Sequence, residues 1–314
     1  MDLHVSLATM ISHQHRLPSD YEGAVVTTLL EAKNNTSDAS QTILYVHGFS
    51  DYFFQEHLMD FYTERGINFF AIDLRKYGRS LLPHQRPNYC RSMTEYFTDL
   101  EYAISFILKQ NERTKIFLLG HSTGGLLVTY YAQIGKMRSH ISGLILNSPF
   151  FRFNVSNWLK PSIPYLARLG LKLNPFIAFN GGVSPIYGQS LHRKYYGEWE
   201  FDLNLKPVDA FPAYLAWILA VYETQKDILN QPLLAMPILL MYASKSAKPR
   251  RYKTIAHESD IVLNVDDIKE VGEQLGSNVT SCSIQNGIHD LFLASKKVRD
   301  EAMELTITFL ANQK

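Results

Sequence analysis

Cysteine is scarce in this sequence, and neither sign of charge is in excess. Only Cys90 and Cys282 occur among 314 residues, without a CxxC or Cys/His spacing, so neither a disulfide framework nor a zinc site is indicated. Two isolated cysteines fit a reducing compartment, and we expect a cytoplasmic protein. The 31 Lys and Arg residues balance 30 Asp and Glu residues, and no segment is basic enough to follow a phosphate backbone. We therefore expect no nucleic acid partner, no metal and no cofactor.

Long apolar runs are also missing. The first residues, Met1 to Val5, contain no basic region followed by an apolar stretch, so they do not resemble a signal peptide. The most apolar window, 213–221, is about half as long as a bilayer-spanning helix requires. We expect no transmembrane segment, although transient contact with a membrane surface is compatible with the sequence.

What the sequence does contain is a large supply of apolar residues in an alternating arrangement. Hydrophobic residues make up 46% of the chain, enough to bury one large core, or one core and a smaller attached unit. Short apolar runs that suit buried strands alternate with stretches of helical periodicity, which predicts an α/β fold with a mostly parallel sheet. The predicted strands are 24–30, 42–46, 68–74, 115–119, 141–147, 238–243 and 279–284, and the main predicted helices are 55–65, 93–109, 125–132 and 295–310. The first two strands, separated by polar turn residues, are expected to form a hairpin.

The alternation of strand-like and helical stretches stops between about residues 151 and 231. The segment has no strand-like run and contains all three tryptophans, Trp158, Trp199 and Trp217. We expect a core formed by 1–150 and 232–314, with 151–231 inserted as a mainly helical cap. The aromatic residues suit a small helical subdomain with its own core, and Trp158 and Trp199 are also candidates for lining an acyl-chain pocket.

The segment 120–124, which reads Gly-His-Ser-Thr-Gly, contains the candidate nucleophile Ser122. The pattern alone is weak, since roughly one chain in ten of this length contains one by chance. Its context is stronger, because the predicted strand 115–119 leads into it and the predicted helix 125–132 leads out. A sharp strand-to-helix turn lifts a seryl oxygen above the sheet, and flanking glycines let the backbone approach itself closely. We therefore expect nucleophilic chemistry at Ser122.

Two backbone amides are candidates for an oxyanion hole. The amide of Thr123 opens the helix after Ser122, where unpaired N–H groups and the helix dipole favour a developing negative charge. A second donor is expected from the loop after an early strand, and Phe49 follows the strand 42–46 at that place. A purely structural glycine turn beside His47 is the alternative for this loop.

His289 is the candidate base. When a serine stands on such an elbow, an acid and then a histidine follow it along the chain. Of the later histidines, His192 falls inside the predicted cap, and no Asp or Glu separates His257 from the strand 238–243. His289 follows the strand 279–284 in a loop before the last helix, although a structural surface histidine is the alternative.

The acid is less well determined. Glu258, Asp260, Asp266 and Asp267 all lie in the allowed window, and periodicity does not separate them. We prefer Asp260, because it precedes the apolar run 261–263, which suits a loop anchor. Asp266 and Asp267 look like the first turn of a helix, where acidic residues favour the dipole.

Together these motifs resemble the monoacylglycerol lipase and lysophospholipase branch of the α/β-hydrolase family, over roughly residues 42–149 and 236–312. The similar elements are 47–49 (its HG-x oxyanion element), 73–80 (its D-x-R-x-x-G-x-S loop), 120–125 (its GHSxGG elbow), 259–262 (its acid-bearing S-D-x-V) and His289 as its C-terminal His. The chain departs from the family at 244–258, which is longer and more basic than the usual acid loop. Its basic residues, within 245–253, form a solvated surface or meet an anionic head group.

The resemblance implies an α/β-hydrolase fold and a serine carboxylic-ester hydrolase that acts on small-molecule acyl esters of the monoacylglycerol or lysophospholipid type. Ser122, His289 and Asp260 would form its catalytic triad. A serine aminopeptidase and an acyltransferase on the same residues are alternatives, and so is a non-catalytic ligand-binding member of the fold. The acyl-chain length, the ester or amide preference and the oligomeric state stay open.

Overall fold

The computed structural model describes residues 10–156, 158–180 and 183–313. Its strands are β1 (Met10–Asp20), β2 (Gly23–Ala32), β3 (Gln41–Val46), β4 (Asn68–Asp73), β5 (Lys115–His121), β6 (Ile141–Asn147), β7 (Ala178–Phe179), β8 (Ala213–Tyr214), β9 (Ile238–Ala243) and β10 (Val279–Ile284). Its helices are α1 (Glu56–Thr63), α2 (Phe97–Gln110), α3 (Thr123–Ile134), α4 (Ile163–Leu173), α5 (Pro185–Leu191), α6 (Leu215–Asp227), α7 (Val265–Gly272) and α8 (Lys296–Ala311). Short 3-10 helices lie at Gly78–Ser80, Met93–Tyr96, Arg138–His140, Lys160–Ser162, Thr254–His257 and Leu291–Leu293.

One sheet, in the order β1-β2-β4-β3-β5-β6-β9-β10, organises the fold. Within this sheet β4, β3, β5, β6, β9 and β10 are parallel, whereas β1 and β2 join antiparallel at one edge. In β3, Leu44 and Val46 pack into a core with α2, α3 and α7, while Ile43 and Tyr45 pack into a second core with α1 and α8. Because helices cover both faces, the central strands are apolar at successive positions. The predicted α/β architecture with a mostly parallel sheet is confirmed.

The predicted hairpin between 24–30 and 42–46 is wrong. β2 pairs with β1 on one side and with β4 on the other, so β4 separates β2 from β3. The turn residues explain the difference, because the side chain of Asn35 pairs with the backbone of Phe69, donating to its O at 3.0 Å and accepting from its N at 2.8 Å. The turn therefore docks on the start of β4, and the chain crosses over that strand to reach β3. The true partner, β1, is an edge strand rich in exposed polar residues, which carries no apolar run.

Residues 151–231 lie between β6 and β9. They contain α4, α5, α6 and the two-residue strands β7 and β8, which pair with each other. That this segment is a separate cap on a core of 1–150 and 232–314 stays a prediction.

Two further expectations concern the surroundings of the chain. Within the part of the chain that the structure describes, no helix combines the length and apolarity needed to cross a bilayer. Cys90 is buried, Cys282 is half-buried, and both are free. The cytoplasmic location stays a prediction.

A buried ion cluster ties the β1–β2 turn to the loop after β4. The Nζ atom of Lys76 lies 2.7 Å from Asp20 Oδ2 and 2.7 Å from Glu22 Oε2, and the lysine side chain is wholly inaccessible to solvent. The ring of Tyr21 lies 4.4 Å from the same ammonium and adds a cation–π contact. Arg86 pairs with the other carboxylate oxygen of Glu22 at 2.9 Å, so Lys76 is the shared partner of the two carboxylates and the ion partner on which Asp20 depends.

We expect Lys76→Met to lower the free energy of unfolding by about 3–5 kcal/mol, because it leaves Asp20 without its ion partner and leaves Glu22 with Arg86 alone. Urea denaturation followed by circular dichroism measures this loss. Arg65→Met is the matched control, since its exposed pair with Glu304 is expected to contribute at most about 1 kcal/mol. A Lys76→Met protein as stable as the control would contradict the account.

Candidate active site

Ser122 occupies a sharp turn between β5 and α3. Its backbone has φ 53° and ψ −116°, a region that non-glycine residues rarely adopt and that costs energy to maintain. Two hydrogen bonds hold the turn: Ser122 N donates to Asn147 O at 3.0 Å, and Phe150 N donates to Ser122 O at 3.0 Å. The seryl side chain therefore projects at the carboxyl end of the central strand, as the strand, glycine and helix pattern predicts.

Glycines let three backbone segments meet at this turn. A Cβ on Gly124 would lie 2.3 Å from Val46 O and 2.4 Å from His47 O, and one on Gly120 would lie 2.7 Å from Gly125 Cα. No side chain fits at such distances. The close approach brings the loop after β3 directly against the turn that carries Ser122.

A chain of hydrogen bonds links Ser122 to His289 and Asp260. His289 Nε2 lies 3.0 Å from Ser122 Oγ, and His289 Nδ1 lies 2.8 Å from Asp260 Oδ2. Asp260 is fully buried, and its Oδ1 accepts hydrogen bonds from Val262 N at 2.8 Å and Leu263 N at 2.7 Å. The carboxylate is thus held from both sides, with one oxygen directed at the imidazole.

The other three acidic candidates lie elsewhere. Asp266 and Asp267 are in the first turn of α7, and Asp267 forms ion pairs with Arg152 and Lys160, each at 3.1 Å. Glu258 lies 3.7 Å from Lys245. The structure brings Asp260, and none of these three, to His289.

The long basic stretch 244–258 does not displace Asp260. The backbone of Asp260 bridges to the residues just after β9, with Asp260 N donating to Lys245 O at 3.0 Å and Ala247 N donating to Asp260 O at 2.9 Å. The stretch therefore leaves and rejoins the end of β9 as a closed loop. This pairing depends on residues on either side of the loop, so local periodicity gives no sign of it.

The two predicted oxyanion donors, Phe49 N and Thr123 N, belong to residues that line the space beside Ser122. Neither amide donates a hydrogen bond to another described residue. His47 stiffens the Phe49 loop, because its Nε2 accepts from Leu74 N at 3.0 Å while Nδ1 lies 2.8 Å from Gly48 O. Since Nε2 is the acceptor, Nδ1 carries the proton and donates to that carbonyl. His47 therefore has a structural role, as the alternative for this loop proposed. The amide of Phe49 still has no hydrogen-bond partner among the described residues.

Two pockets meet at Ser122, and both are also lined by Phe49, Val183 and Val262. The smaller pocket has a volume of about 40 Å³ and a largely apolar lining. We call it the polar pocket because charged and polar side chains also line it, namely Ser50, Asp51, His121, Tyr187, Lys206 and His289. The apolar pocket has a volume of about 380 Å³, and its larger side chains are Phe150, Phe153, Val155, Phe179, Trp217 and Ile218.

Trp158 and Trp199 do not line either pocket, so their assignment to an acyl-chain lining is wrong. Trp158 is 78% exposed. Trp199 packs on His57 with ring centroids 4.6 Å apart, and its indole N–H donates to Leu293 O at 2.7 Å. The tryptophan that faces Ser122 is Trp217, whose ring lies 4.3 Å from that of Phe49. Trp217 differs from the other two tryptophans in its surroundings only because α6 packs beside the pocket, which the sequence does not reveal.

Sequence patterns missed the ion pair in the polar pocket. Lys206 Nζ lies 2.5 Å from Asp51 Oδ1, and both side chains are buried. Although burial on its own raises the pKa of Asp51, the neighbouring Lys206 brings it below the ordinary value. Asp51 was within reach of prediction, because it follows Phe49 by two positions, whereas Lys206 belongs to no motif.

His121 adds an uncharged imidazole to this pocket. Burial lowers its pKa, and the nearby His289 lowers it further, while Asp290 and Asp51 act in the opposite direction. The neutral ring places Nδ1 3.2 Å from Asn147 O, so Nδ1–H donates to that carbonyl. The pocket therefore holds one ion pair and a neutral imidazole beside His289.

A family model and a curated relative match this chain. A model of the family Hydrolase_4, described as "Serine aminopeptidase, S33", matches residues 37–295. A monoglyceride lipase of Saccharomyces cerevisiae is 29% identical over 157 residues, which are 48% of this chain and 49% of that protein. The match thus spans about half the length of this curated relative.

Solved structures extend the likeness to nearly the whole chain. A soluble variant of the S. cerevisiae monoglyceride lipase, in complex with a substrate analog, has a TM-score of 0.74 at 18% identity, covering 98% of both chains. A thermostable carboxyl esterase from Bacillus coagulans has a TM-score of 0.66 at 16% identity, covering 97% of this chain and 99% of that one. At such identities the likeness concerns the fold, and the predicted α/β-hydrolase fold is confirmed.

Proposed function

The chain belongs to the Hydrolase_4 family, serine aminopeptidase S33, and from that premise we propose that it hydrolyses carboxylic esters with a single acyl chain, of the monoacylglycerol or lysophospholipid type. The observation that carries the proposal is the hydrogen-bonded chain from Ser122 through His289 to Asp260, placed where the polar and apolar pockets meet. A nucleophile, its base and an orienting acid in mutual contact are what acyl transfer requires.

In the proposed mechanism, His289 Nε2 takes the proton of Ser122 Oγ as that oxygen attacks the ester carbonyl carbon. Asp260 accepts the Nδ1–H hydrogen bond, which fixes the tautomer and stabilises the imidazolium. His289 then donates the proton to the alcohol oxygen, the C–O bond breaks, and the acyl group stays on Ser122. A water molecule gives its proton to His289 as its oxygen attacks the acyl carbon. The bond from that carbon to Ser122 Oγ then breaks and His289 donates the proton to Oγ, which releases the acid and restores Ser122.

The unpaired amides of Phe49 and Thr123 are the proposed stabilisers of the negative charge that develops on the carbonyl oxygen. Thr123 is the first residue of α3, so the positive end of that helix dipole lies at the same place. Each such donor typically contributes about a hundredfold to a thousandfold in turnover. Because both amides are fixed by the turns around Ser122, they need no rearrangement during the reaction.

The apolar pocket suits an acyl chain. Its volume of about 380 Å³ is in the range of small-molecule sites, and its lining is dominated by aromatic and aliphatic side chains. The likeness to a monoglyceride lipase supports a single-chain substrate.

The outside of this region is apolar as well. Leu166, Leu169 and Leu173 of α4 are more than half exposed, and they line a surface groove together with Phe179, which also lines the apolar pocket. This continuity suits the entry of a lipid-like substrate. Transient contact with a membrane surface stays a prediction.

Amide hydrolysis is the second candidate, because the family description names an aminopeptidase. An aminopeptidase must bind the charged α-amino group of its substrate, and a carboxylate near the nucleophile serves that purpose. In the polar pocket the carboxylate of Asp51 is already paired with Lys206, and no Asp or Glu is among the described residues of the apolar pocket. Both pockets therefore favour an ester.

A panel of p-nitrophenyl esters of increasing acyl length, measured beside aminoacyl-p-nitroanilides, tests the proposal. We expect ester hydrolysis that becomes more efficient from acetate to medium-chain acyl groups, because longer chains fill the apolar pocket. Faster turnover of the anilides than of the esters would overturn the ester assignment.

We expect Asp260→Asn to lower kcat by about 10⁴-fold, because an amide at this position favours the wrong imidazole tautomer. The matched control is Asp266→Asn, a carboxylate exposed at the start of α7, for which kcat stays close to that of the wild type. Steady-state kinetics on the best ester of the panel measures both. Equal losses in the two variants, or a larger loss for Asp266→Asn, would show that the acid is misassigned.

A further inference from the structure

Asn147, the last residue of β6, is bonded to both of the chain segments that carry Ser122 and His289. β6 lies between β5, which leads into Ser122, and β9. The backbone O of Asn147 accepts from Ser122 N at 3.0 Å. Its side chain contacts the histidine loop, which we define as residues 285–295 between β10 and α8. One residue at the end of a central strand therefore joins the turn of the nucleophile to the loop of its base.

The side chain of Asn147 makes two hydrogen bonds with the histidine loop. Its Oδ1 accepts from Leu291 N at 3.3 Å, and its Nδ2 donates to Asp290 Oδ1 at 2.8 Å. A backbone N–H can only donate, so the contact with Leu291 N requires an oxygen on that side of the amide. The amide therefore has a single orientation, in which both of its ends hold the residues directly after His289.

Asp290 is a buried carboxylate that neutral groups hold. Besides Asn147, Phe292 N donates to its Oδ1 at 3.1 Å and Gln55 Nε2 donates to its Oδ2 at 3.4 Å. Both Asn147 and Asp290 are fully buried. A charge in such a place is costly to bury, whereas apolar contacts would hold the loop at lower cost. Hydrogen bonds differ from apolar contacts in fixing a distance and an angle, so the contribution of this pair is geometric.

We infer that Asn147 and Asp290 are positioning residues, which set the 3.0 Å separation between Ser122 Oγ and His289 Nε2. The inference rests on the proposed function, in which a proton passes between these two atoms. Neither Asn147 nor Asp290 lines the polar or the apolar pocket. The pair therefore acts through the imidazole and not on the substrate.

The other anchors of the histidine loop come from different parts of the fold. His57 Nε2–H donates to Phe292 O at 2.9 Å, and the indole N–H of Trp199 donates to Leu293 O at 2.7 Å. These bonds hold the second half of the loop to α1 and to the segment between α5 and β8. Neither bond involves the turn that carries the nucleophile. The side chain of Asn147 is thus the contact that couples that turn to the loop.

A role in stability alone is the rival explanation, because buried hydrogen bonds also stabilise a fold. Asn68, the first residue of β4, offers a matched control. Its side chain also donates once and accepts once, since Nδ2 donates to Thr36 O at 2.7 Å and Oδ1 accepts from Thr36 N at 2.8 Å. Asn68 is buried as well, but it lies at the amino end of its strand, away from Ser122. Asn68→Leu therefore removes a similar pair of bonds without touching the proposed link.

The experiment compares the wild type, Asn147→Leu and Asn68→Leu by kcat and KM on the best ester of the panel, by the rate of fluorophosphonate labelling and by the urea midpoint. We expect both variants to lower the urea midpoint. Only Asn147→Leu should lower kcat and the labelling rate, by about a hundredfold, the effect of moving a reacting group by about 1 Å. KM should stay close to the wild-type value, because a displaced imidazole weakens the transition state and not substrate binding.

Asp290 provides a second pair of variants, each compared at its own pH optimum. Asp290→Asn keeps an oxygen that can accept from Asn147 Nδ2 and Phe292 N, so kcat should stay close to that of the wild type. Asp290→Leu removes this acceptor and should lower kcat as Asn147→Leu does. Because both leucine variants break the same link, combining them should lower kcat no further than either does alone.

Unchanged kcat in Asn147→Leu or an equal fall in Asn68→Leu would overturn the inference. Equal losses in Asp290→Asn and Asp290→Leu, or additive losses in the double variant, would overturn it as well, and the Asp290 pair decides the question if Asn147→Leu does not fold. A wild-type protein that neither hydrolyses an ester nor takes up the label would instead overturn the proposed function. Labelling without ester hydrolysis would overturn only the ester assignment, and the labelling rates would still test the link.

Discussion

The close approach of α3 to the carboxyl end of β3 is the constraint on which the rest of the site depends. Gly124 lies so near the carbonyl oxygens of Val46 and His47 that no Cβ fits between them. This contact presses the turn that carries Ser122 against the loop that carries Phe49. A seryl oxygen and two unpaired amides therefore share one location, and the unfavourable φ of Ser122 is the local strain that the surrounding hydrogen bonds maintain.

The two partners of Ser122, Asp260 and His289, lie in the loops that follow β9 and β10. Hydrogen bonds hold them in place there. Asp260 receives two backbone N–H groups on one oxygen, so only its second oxygen is directed at His289. A carboxylate held in this way can be buried because every charge-bearing atom has a donor. The basic stretch before Asp260 makes the loop longer. The backbone hydrogen bonds between Asp260 and the end of β9 fix the position of the acid, so the extra length does not move it.

How much of this was predictable depends on whether a contact is local. The elbow around Ser122 is contiguous in the chain, so a strand pattern, glycine spacing and a helix pattern identify it without knowledge of the fold. The β2–β3 hairpin prediction failed because Asn35 pairs with the start of β4, a contact that no local pattern reveals. Lys206 meets Asp51 across 155 positions, and Trp217 differs from the other tryptophans only in how α6 packs. The turn around Ser122 could therefore be predicted from the sequence, whereas the pockets that determine substrate specificity could not.

Covalent labelling of Ser122 tests the central claim of a buried but reactive nucleophile most directly. The protein is treated with a fluorophosphonate and digested, and the modified peptide is located by mass spectrometry. The account predicts stoichiometric label on the peptide that contains Ser122, and loss of that label in His289→Ala, which removes the base. Label on a different residue, or none on a folded wild-type protein, would contradict it.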